Sequence, residues 1–209
     1  IKMIFLLDNG HGGVINGIYQ TAGKRSFKFN NGLCLYEGEF NRAIVARIIE
    51  MMEQKYLKYI NIAPEMEDVS LKERVKRAND WTRITKEKCL YISIHANGYG
   101  KKWNTANGFG CYTSRGETKS DEYALEFYSE MQKEFPDKKM RTDYSDGDKD
   151  KEANFYVLKN TICPAVLTEN FFMTNKEECK LLLSKEGRDR IASAHFKAIE
   201  NIYCIEAYK

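Results

Sequence analysis

Proline is scarce in this chain, three in 209 residues, and so are tryptophan (two) and histidine (three). There is no tract rich in Pro, Gly or Ser and no internal repeat, so nothing marks a linker, and residues 1–209 read as a single domain. No apolar run approaches the roughly 20 residues that a membrane-spanning helix needs. The opening segment, Ile1 to Leu7, is too short for a secretory leader and passes straight into a turn. An excess of one charge sign is also missing. The 33 Lys and Arg against 30 Asp and Glu leave +3, and the basic residues come in pairs such as Lys101–Lys102 and Lys138–Lys139. That is no footprint for nucleic acid or for a membrane surface. The six cysteines (Cys34, Cys89, Cys111, Cys163, Cys179, Cys204) contain no C-x-x-C pair, which argues against a zinc ribbon or a thioredoxin-like motif. Several lie in apolar stretches, where reduced, buried thiols are expected.

What is present is a globular composition, 43% hydrophobic and 30% charged, in a chain long enough to bury one large core. Short apolar runs predict strands at Met3 to Asp8, Ile60 to Ala63, Leu90 to Ala96, Phe109 to Thr113, Phe155 to Leu158 and Ala165 to Glu169. Helical spacing appears over Glu39 to Tyr59, through Phe40, Ile44, Val45, Ile48, Ile49 and Met52. Ser70 to Lys86 opens with Ser70 and Glu73, the pattern of a capping box. Lys119 to Phe135, Lys176 to Leu183 and Gly187 to Tyr203 predict further helices, and Gly12 to Tyr36 reads as a long polar loop. Alternating strands and helices predict an α/β fold: a twisted, mostly parallel sheet of about six strands with helices on both faces.

Chemistry-bearing residues gather where the strands end. The first strand finishes at Asp8 in "DNGHGG", with His11 just beyond; "LYISIHANG" puts His95 at the end of the Leu90 strand; "PAVLTEN" puts Glu169 at the end of the Val166 strand. In open α/β sheets this rim is where ligands bind. A fourth carboxylate, Glu37 or Glu39 in "YEGEFNR", stands where the first long helix begins. Two neutral imidazoles and a carboxylate suit Zn²⁺ with one position left open, and a second, non-ligating carboxylate can then move protons. Gly10, Gly12 and Gly13 permit a tight backbone beside His11. His195, inside the last amphipathic helix, reads as structural. Rival motifs fail. "GIYQTAGKRS" has the wrong glycine spacing for a phosphate loop. "DYSDGDKDK" would need ligands at Thr142 and Ala153 to bind calcium and reads as a solvated loop. No G-x-S-x-G elbow occurs.

Taken in order, "LLDNGHGG", "YEGEFNRAIV", "ERVKRAND", "YISIHANG" and "PAVLTENFFMTNKEEC" resemble the zinc-dependent N-acetylmuramoyl-L-alanine amidases of the amidase-3 type, from Ile4 to about Tyr203. The resemblance implies a peptidoglycan hydrolase that cleaves between N-acetylmuramic acid and L-alanine. It implies one Zn²⁺ per chain on His11, Glu37 and His95, and Glu169 as catalytic carboxylate. Glu39 then falls on a polar, non-ligand position. Asn97, Lys24, Arg25 and Arg141 are candidates for gripping substrate, and Trp103, Tyr99, Tyr112 and Phe172 for stacking on sugars. Asn9 stands where the family usually has Pro, and Asn170-Phe171 replaces a Gly-Phe-like pair. The long Val14 to Tyr36 loop is similar to phage or prophage forms, which favours an endolysin. The expected partner is peptidoglycan, with no nucleic acid and no membrane, the chain acting as a monomer at the cell wall, in the periplasm or outside the cell. With no leader visible, it is expected to be either trimmed or made in a cytoplasm and released on lysis. The alternatives are a zinc peptidase acting within the stem peptide, and a non-enzymatic wall-binding module.

Overall fold

The structure, a computed structural model, describes residues 3–144, 147 and 149–208. Its elements in order are β1 (Met3–Asn9), β2 (Val14–Ile15), β3 (Ile18–Tyr19), α1 (Glu37–Gln54), β4 (Lys58–Asn61), α2 (Leu71–Thr85), β5 (Lys88–Asn97), β6 (Gly110–Thr113), α3 (Lys119–Glu134), β7 (Lys151–Glu152), α4 (Tyr156–Asn160), β8 (Ala165–Phe172), α5 (Lys176–Leu183) and α6 (Lys185–Ala207). Six strands form one sheet in the order β4-β1-β5-β8-β6-β7, parallel throughout except where β6 runs against β8. This is the expected α/β architecture.

Strand order explains where the helices go. From β1 the chain moves outward through α1 to β4, then returns through α2 to β5 on the other side of β1. Crossovers of one hand in opposite directions put their helices on opposite faces. One face accordingly packs α1, α3 and α6 residues such as Ile44, Phe127 and Ile199 on Phe5, Leu7, Ile92 and Val166. The other packs Val75 and Ala78 of α2 and Val157 and Leu158 of α4 on Ile4, Leu6, Tyr91 and Leu167. The switch between β1 and β5 opens a crevice at their carboxyl ends, the place where such sheets bind ligands.

Local signals account for most boundaries. Ser70 caps α2 by accepting from the Glu73 amide (3.2 Å), and a complete Thr118–Asp121 capping box opens α3. Four expectations need correction. The first long helix stops at Gln54, with Tyr56 in the left-handed region (φ 55°), and Lys58–Asn61 is already strand. Phe155 to Leu158 is not a strand but the start of the short helix α4; the sixth strand is Lys151–Glu152 instead. The segment Gly12 to Tyr36 contains a hairpin, β2–β3, turning at Asn16 and Gly17, both with positive φ. That is the Asn-Gly turn that matches strand twist. The last helix runs further at both ends than expected, Lys185–Ala207. Of the acidic loop around Gly147, Ser145, Asp146 and Asp148 lie outside the described residues. All six cysteines are unpaired, and four are buried; Cys34 is partly covered and Cys204 exposed.

His195 is fully buried on α6, as a structural residue should be. Its Nδ1 donates to the Ile191 carbonyl (2.9 Å), so its Nε2 accepts from the Thr168 hydroxyl (3.0 Å) and the ring is neutral. Burial holds its pKa down to about 4. Unfolded, the same ring takes a proton below about pH 6.5. Its stabilising contribution is therefore complete above pH 6.5 and is lost as pH falls towards 4, a change on the order of 3 kcal/mol. Urea unfolding of the natural chain and of His195→Gln should show their stability difference moving by about that much between pH 7 and pH 4. A difference that stays constant with pH would refute a buried neutral imidazole.

Candidate metal centre

Strands β1, β5 and β8 lie side by side, so the three predicted groups arrive at one rim. His95 and Glu169 sit directly opposite each other in the β5–β8 register. Asp8, Ser93, His95 and Glu169 continue the alternation of Ile4, Leu6, Tyr91 and Leu167, whose side chains face α2 and α4. His11 follows the end of β1. Glu37, the first residue of α1, enters from the opposite face of the sheet.

His11, Glu37 and His95 converge. Glu37 Oε1 lies 2.9 Å from His95 Nδ1 and 3.3 Å from His11 Nε2, and one ligand atom from each residue falls within 4.8 Å of the others. A tetrahedral zinc with bonds of about 2.0–2.1 Å needs ligand atoms roughly 3.3 Å apart. The donor set and spacing fit such an ion. Glu37 is 3% exposed. Burial opposes its charge, but hydrogen bonds and attraction from both histidines hold its carboxyl well below the usual range. Burial likewise opposes charge on His95, and the Glu37 contact outweighs it, raising the imidazole pKa. Glu39, the other candidate, points away: both its oxygens accept from Arg188 of α6 (2.9 and 2.8 Å).

Glu169 stays outside the cluster. Its Oε2 is shut off from solvent and has no hydrogen-bond partner among the described residues. Desolvation pushes its carboxyl up to about 7, against the pull of His95 and Lys24. A carboxylate balanced near neutrality beside the candidate ligands suits proton transfer in both directions. The strand is irregular just after it. β5 advances from His95 to Asn97 while β8 advances from Glu169 to Phe172, so β8 carries one extra residue. Phe171 takes the left-handed conformation at φ 61°. Asn170 braces the bulge by donating to the His95 carbonyl (2.9 Å) and the Thr168 hydroxyl (3.2 Å). The Phe172 amide is met by Glu178 Oε2 (2.8 Å).

The "DNGHGG" turn also departs from expectation. The left-handed residue is His11 itself, φ 67°, rather than a flanking glycine. Gly10 is required for another reason: a Cβ there would lie 2.1 Å from the His95 ring. The strained turn is held through its carbonyls. The His11 carbonyl accepts from Arg42 (2.7 Å) and Arg74 (3.2 Å), that of Asn9 from Arg74 (2.8 Å), and that of Gly10 from Asn41 (2.9 Å). Arg74 is in turn fixed by an ion pair with Asp8, whose second oxygen accepts from Ser93 (2.7 Å). Burial works against the charge of Asp8, and Arg74 overcomes it and keeps the carboxyl below its ordinary value. Asp8 is thus a brace, not a ligand.

A cleft of about 990 Å³ opens over the centre. Asn97, Lys24 and Arg25 line it, as does Tyr99. Arg141 does not: its guanidinium stacks 5.1 Å from the Phe172 ring centre and donates to the Asn107 carbonyl (3.4 Å). Trp103 packs on Phe27 and Phe29, and Tyr112 on Phe155. Sequence reasoning missed Arg42 and Arg74, whose partners are distant in the chain, and the Phe155–Tyr156 wall of the cleft.

A family profile described as N-acetylmuramoyl-L-alanine amidase matches residues 5–201. The endolysin of Bacillus phage SPP1 is 29% identical over 205 residues, covering 96% of this chain and 66% of that protein. The N-acetylmuramoyl-L-alanine amidase CwlM of Bacillus licheniformis is 27% identical over 198 residues, covering 94% and 67%. This chain thus spans about two thirds of either relative. Among solved structures, an N-acetylmuramoyl-L-alanine amidase from Clostridium difficile 630 superposes with a TM-score of 0.75 at 23% identity, covering 96% of both chains, and so shares the fold.

Removing one partner of the Asp8–Arg74 pair leaves a buried charge unmatched. Arg74→Met should cost about 3–5 kcal/mol in urea unfolding of the metal-free protein, and adding Asp8→Leu should recover part of that loss. A loss below about 1 kcal/mol would show that the pair does not brace the turn.

Proposed function

The chain belongs to the N-acetylmuramoyl-L-alanine amidase family, and from that premise we propose that it hydrolyses the amide bond between the lactyl group of N-acetylmuramic acid and the L-alanine of the stem peptide, acting on the cell wall as one catalytic unit over residues 1–209. The observation that carries the reading is the convergence of His11, Glu37 and His95 with an unpartnered Glu169 oxygen beside them. The first three are the proposed ligands of a single Zn²⁺, and Glu169 the catalytic carboxylate. Bound there, zinc supplies Lewis acidity towards the scissile carbonyl and acidifies water.

The chain's own residues do the rest. Glu169 takes the proton from the attacking water on its carboxylate and delivers it to the departing alanine nitrogen. Its position near neutrality lets it accept and release a proton without a large penalty in either direction. The Asn170 contact to the His95 carbonyl keeps the acid and the imidazole in a fixed relation. Asn97, with Lys24 and Arg25 above the centre, orients the substrate. The likeness to a phage endolysin supports a lytic role for the same chemistry.

Digestion of purified peptidoglycan, read by mass spectrometry, tests the bond. Intact stem peptides with a free L-alanine amine, lost on chelation and restored by zinc, are expected. Peptides clipped internally would favour a zinc peptidase, and binding to sacculi without new amines a wall-binding module. Glu169→Ala should keep about one zinc per chain by elemental analysis and lose lytic activity by about a hundredfold or more. A zinc-loaded variant that still lyses walls at the natural rate would remove Glu169 from the mechanism.

A further inference from the structure

The cleft crosses the rim of the sheet from one face to the other, and its two walls differ in charge. The wall continuing the α1 face carries Lys24, Arg25 and Lys101, none with a carboxylate partner within ion-pair distance among the described residues. The segment bearing the first two is built in. The Lys24 carbonyl accepts from the Glu37 amide (3.0 Å), Arg25 bridges to Tyr36, and Phe27 packs on Trp103. The segment bearing Lys101 is tied by Thr174, which accepts from the Tyr99 amide (3.1 Å) and the Asn104 amide (3.0 Å). Lys24 is close enough for its charge to act on Glu169.

The opposite wall, on the α2 and α4 face, offers Leu71, Phe155 and Tyr156, which are 54%, 38% and 43% exposed. Its cation, Arg74, is buried and already spent on Asp8, and the charge that reaches the surface there is Asp68. Unpartnered cations in a cleft raise the local concentration of anions, whereas an aromatic and aliphatic face beside an acid repels them and accepts neutral rings.

The two halves of the substrate differ in the same way, since stem peptides carry carboxylates and the glycan is an uncharged chain of sugar rings. Resting on the amidase reading, we infer that the cleft sets the direction of the substrate: Lys24, Arg25 and Lys101 receive the carboxylates of the stem peptide, and Leu71, Phe155 and Tyr156 receive the glycan. The scissile amide then lies across the sheet edge, between the walls and over His11, Glu37 and His95. The three cations are specificity residues, and they select for a free carboxylate on the peptide.

Paired probes test this. MurNAc-L-Ala-D-Glu and its diamide, in which both glutamyl carboxyls are amidated, differ only in those carboxylates. The natural chain should favour the acid, mainly through KM, and Lys24→Ala/Arg25→Ala/Lys101→Ala should raise KM for the acid about tenfold and erase the preference. Tyr156→Ala should keep the preference but lose the gain in kcat/KM on lengthening the glycan from one sugar to four. Dissociation constants for both probes on the inactivated Glu169→Ala chain give the same comparison without turnover. If the acid and the diamide bind alike, or if the triple variant keeps the preference, the cationic wall does not read the peptide. If the triple variant loses glycan-length dependence and Tyr156→Ala loses the acid preference, the direction is reversed. Failure of the amidase reading looks different: no variant, and not the natural chain, would cut any probe at the lactyl–alanine bond.

Discussion

Everything at the rim depends on a buried ion pair. Arg74 and Asp8 are both about 1% exposed, and each would be costly alone. Together they do more than cancel. Asp8 is the penultimate residue of β1 and uses its second oxygen on Ser93 of β5, so it ties two neighbouring strands. Arg74 comes from α2 and spends its remaining donors on the carbonyls of Val69, Asn9 and His11. One guanidinium thus joins a helix, a strand end and a strained turn. A salt bridge of this kind is weak evidence for stability and better evidence for a specified geometry, because its alternatives leave a charge stranded. The left-handed His11 is the strained element that this geometry holds.

The site was more legible than the scaffold around it. His11, His95 and Glu169 could be found because each follows an apolar strand, and α/β sheets present their carboxyl ends to ligands. The choice between Glu37 and Glu39 needed the family resemblance, since both begin the same helix; burial of one and the Arg188 pairing of the other give the physical reason. Phe155 to Leu158 was misread because four apolar residues carry no period that separates strand from helix. The β2–β3 hairpin was announced by "VINGIY", an Asn-Gly flanked by apolar residues, and passed unread within a polar loop. Arg42 and Arg74 have no local signal for this role, because the turn carbonyls they hold lie 31 to 65 positions away and leave no spacing to recognise. Arg141 has the charge expected of a substrate contact, but its guanidinium lies on the Phe172 ring and does not line the cleft.

A second set of contacts runs the other way through the sheet. From the His95 carbonyl it passes to Asn170, to Thr168, to the neutral imidazole of His195 and on to the Ile191 carbonyl of α6. Beyond the first, partly buried step every contact is buried, so each group has little choice of partner. The longest helix, Lys185–Ala207, is therefore joined to the strand that carries His95 by polar contacts as well as by packing.

The extra residue in β8 has a consequence beyond chain length. Before it, Ala165 and Leu167 belong to the face covered by α2 and α4; after it, Phe171 belongs to the other face, although an unbroken strand would have left it on the same side as Glu169. The insertion acts as a phase change: up to the acid the odd-numbered residues face α2 and α4, and beyond it Phe171 takes the face of Val166. Deleting a single residue between Glu169 and Phe172 would not merely shorten the strand. Removing Asn170 would make the alternation regular again, with Phe171 keeping its face, but it would take away the side-chain amide that holds the His95 carbonyl and the Thr168 hydroxyl. In this segment the extra residue matters for what it carries, a side-chain amide that ties β8 to β5 beside the candidate ligands.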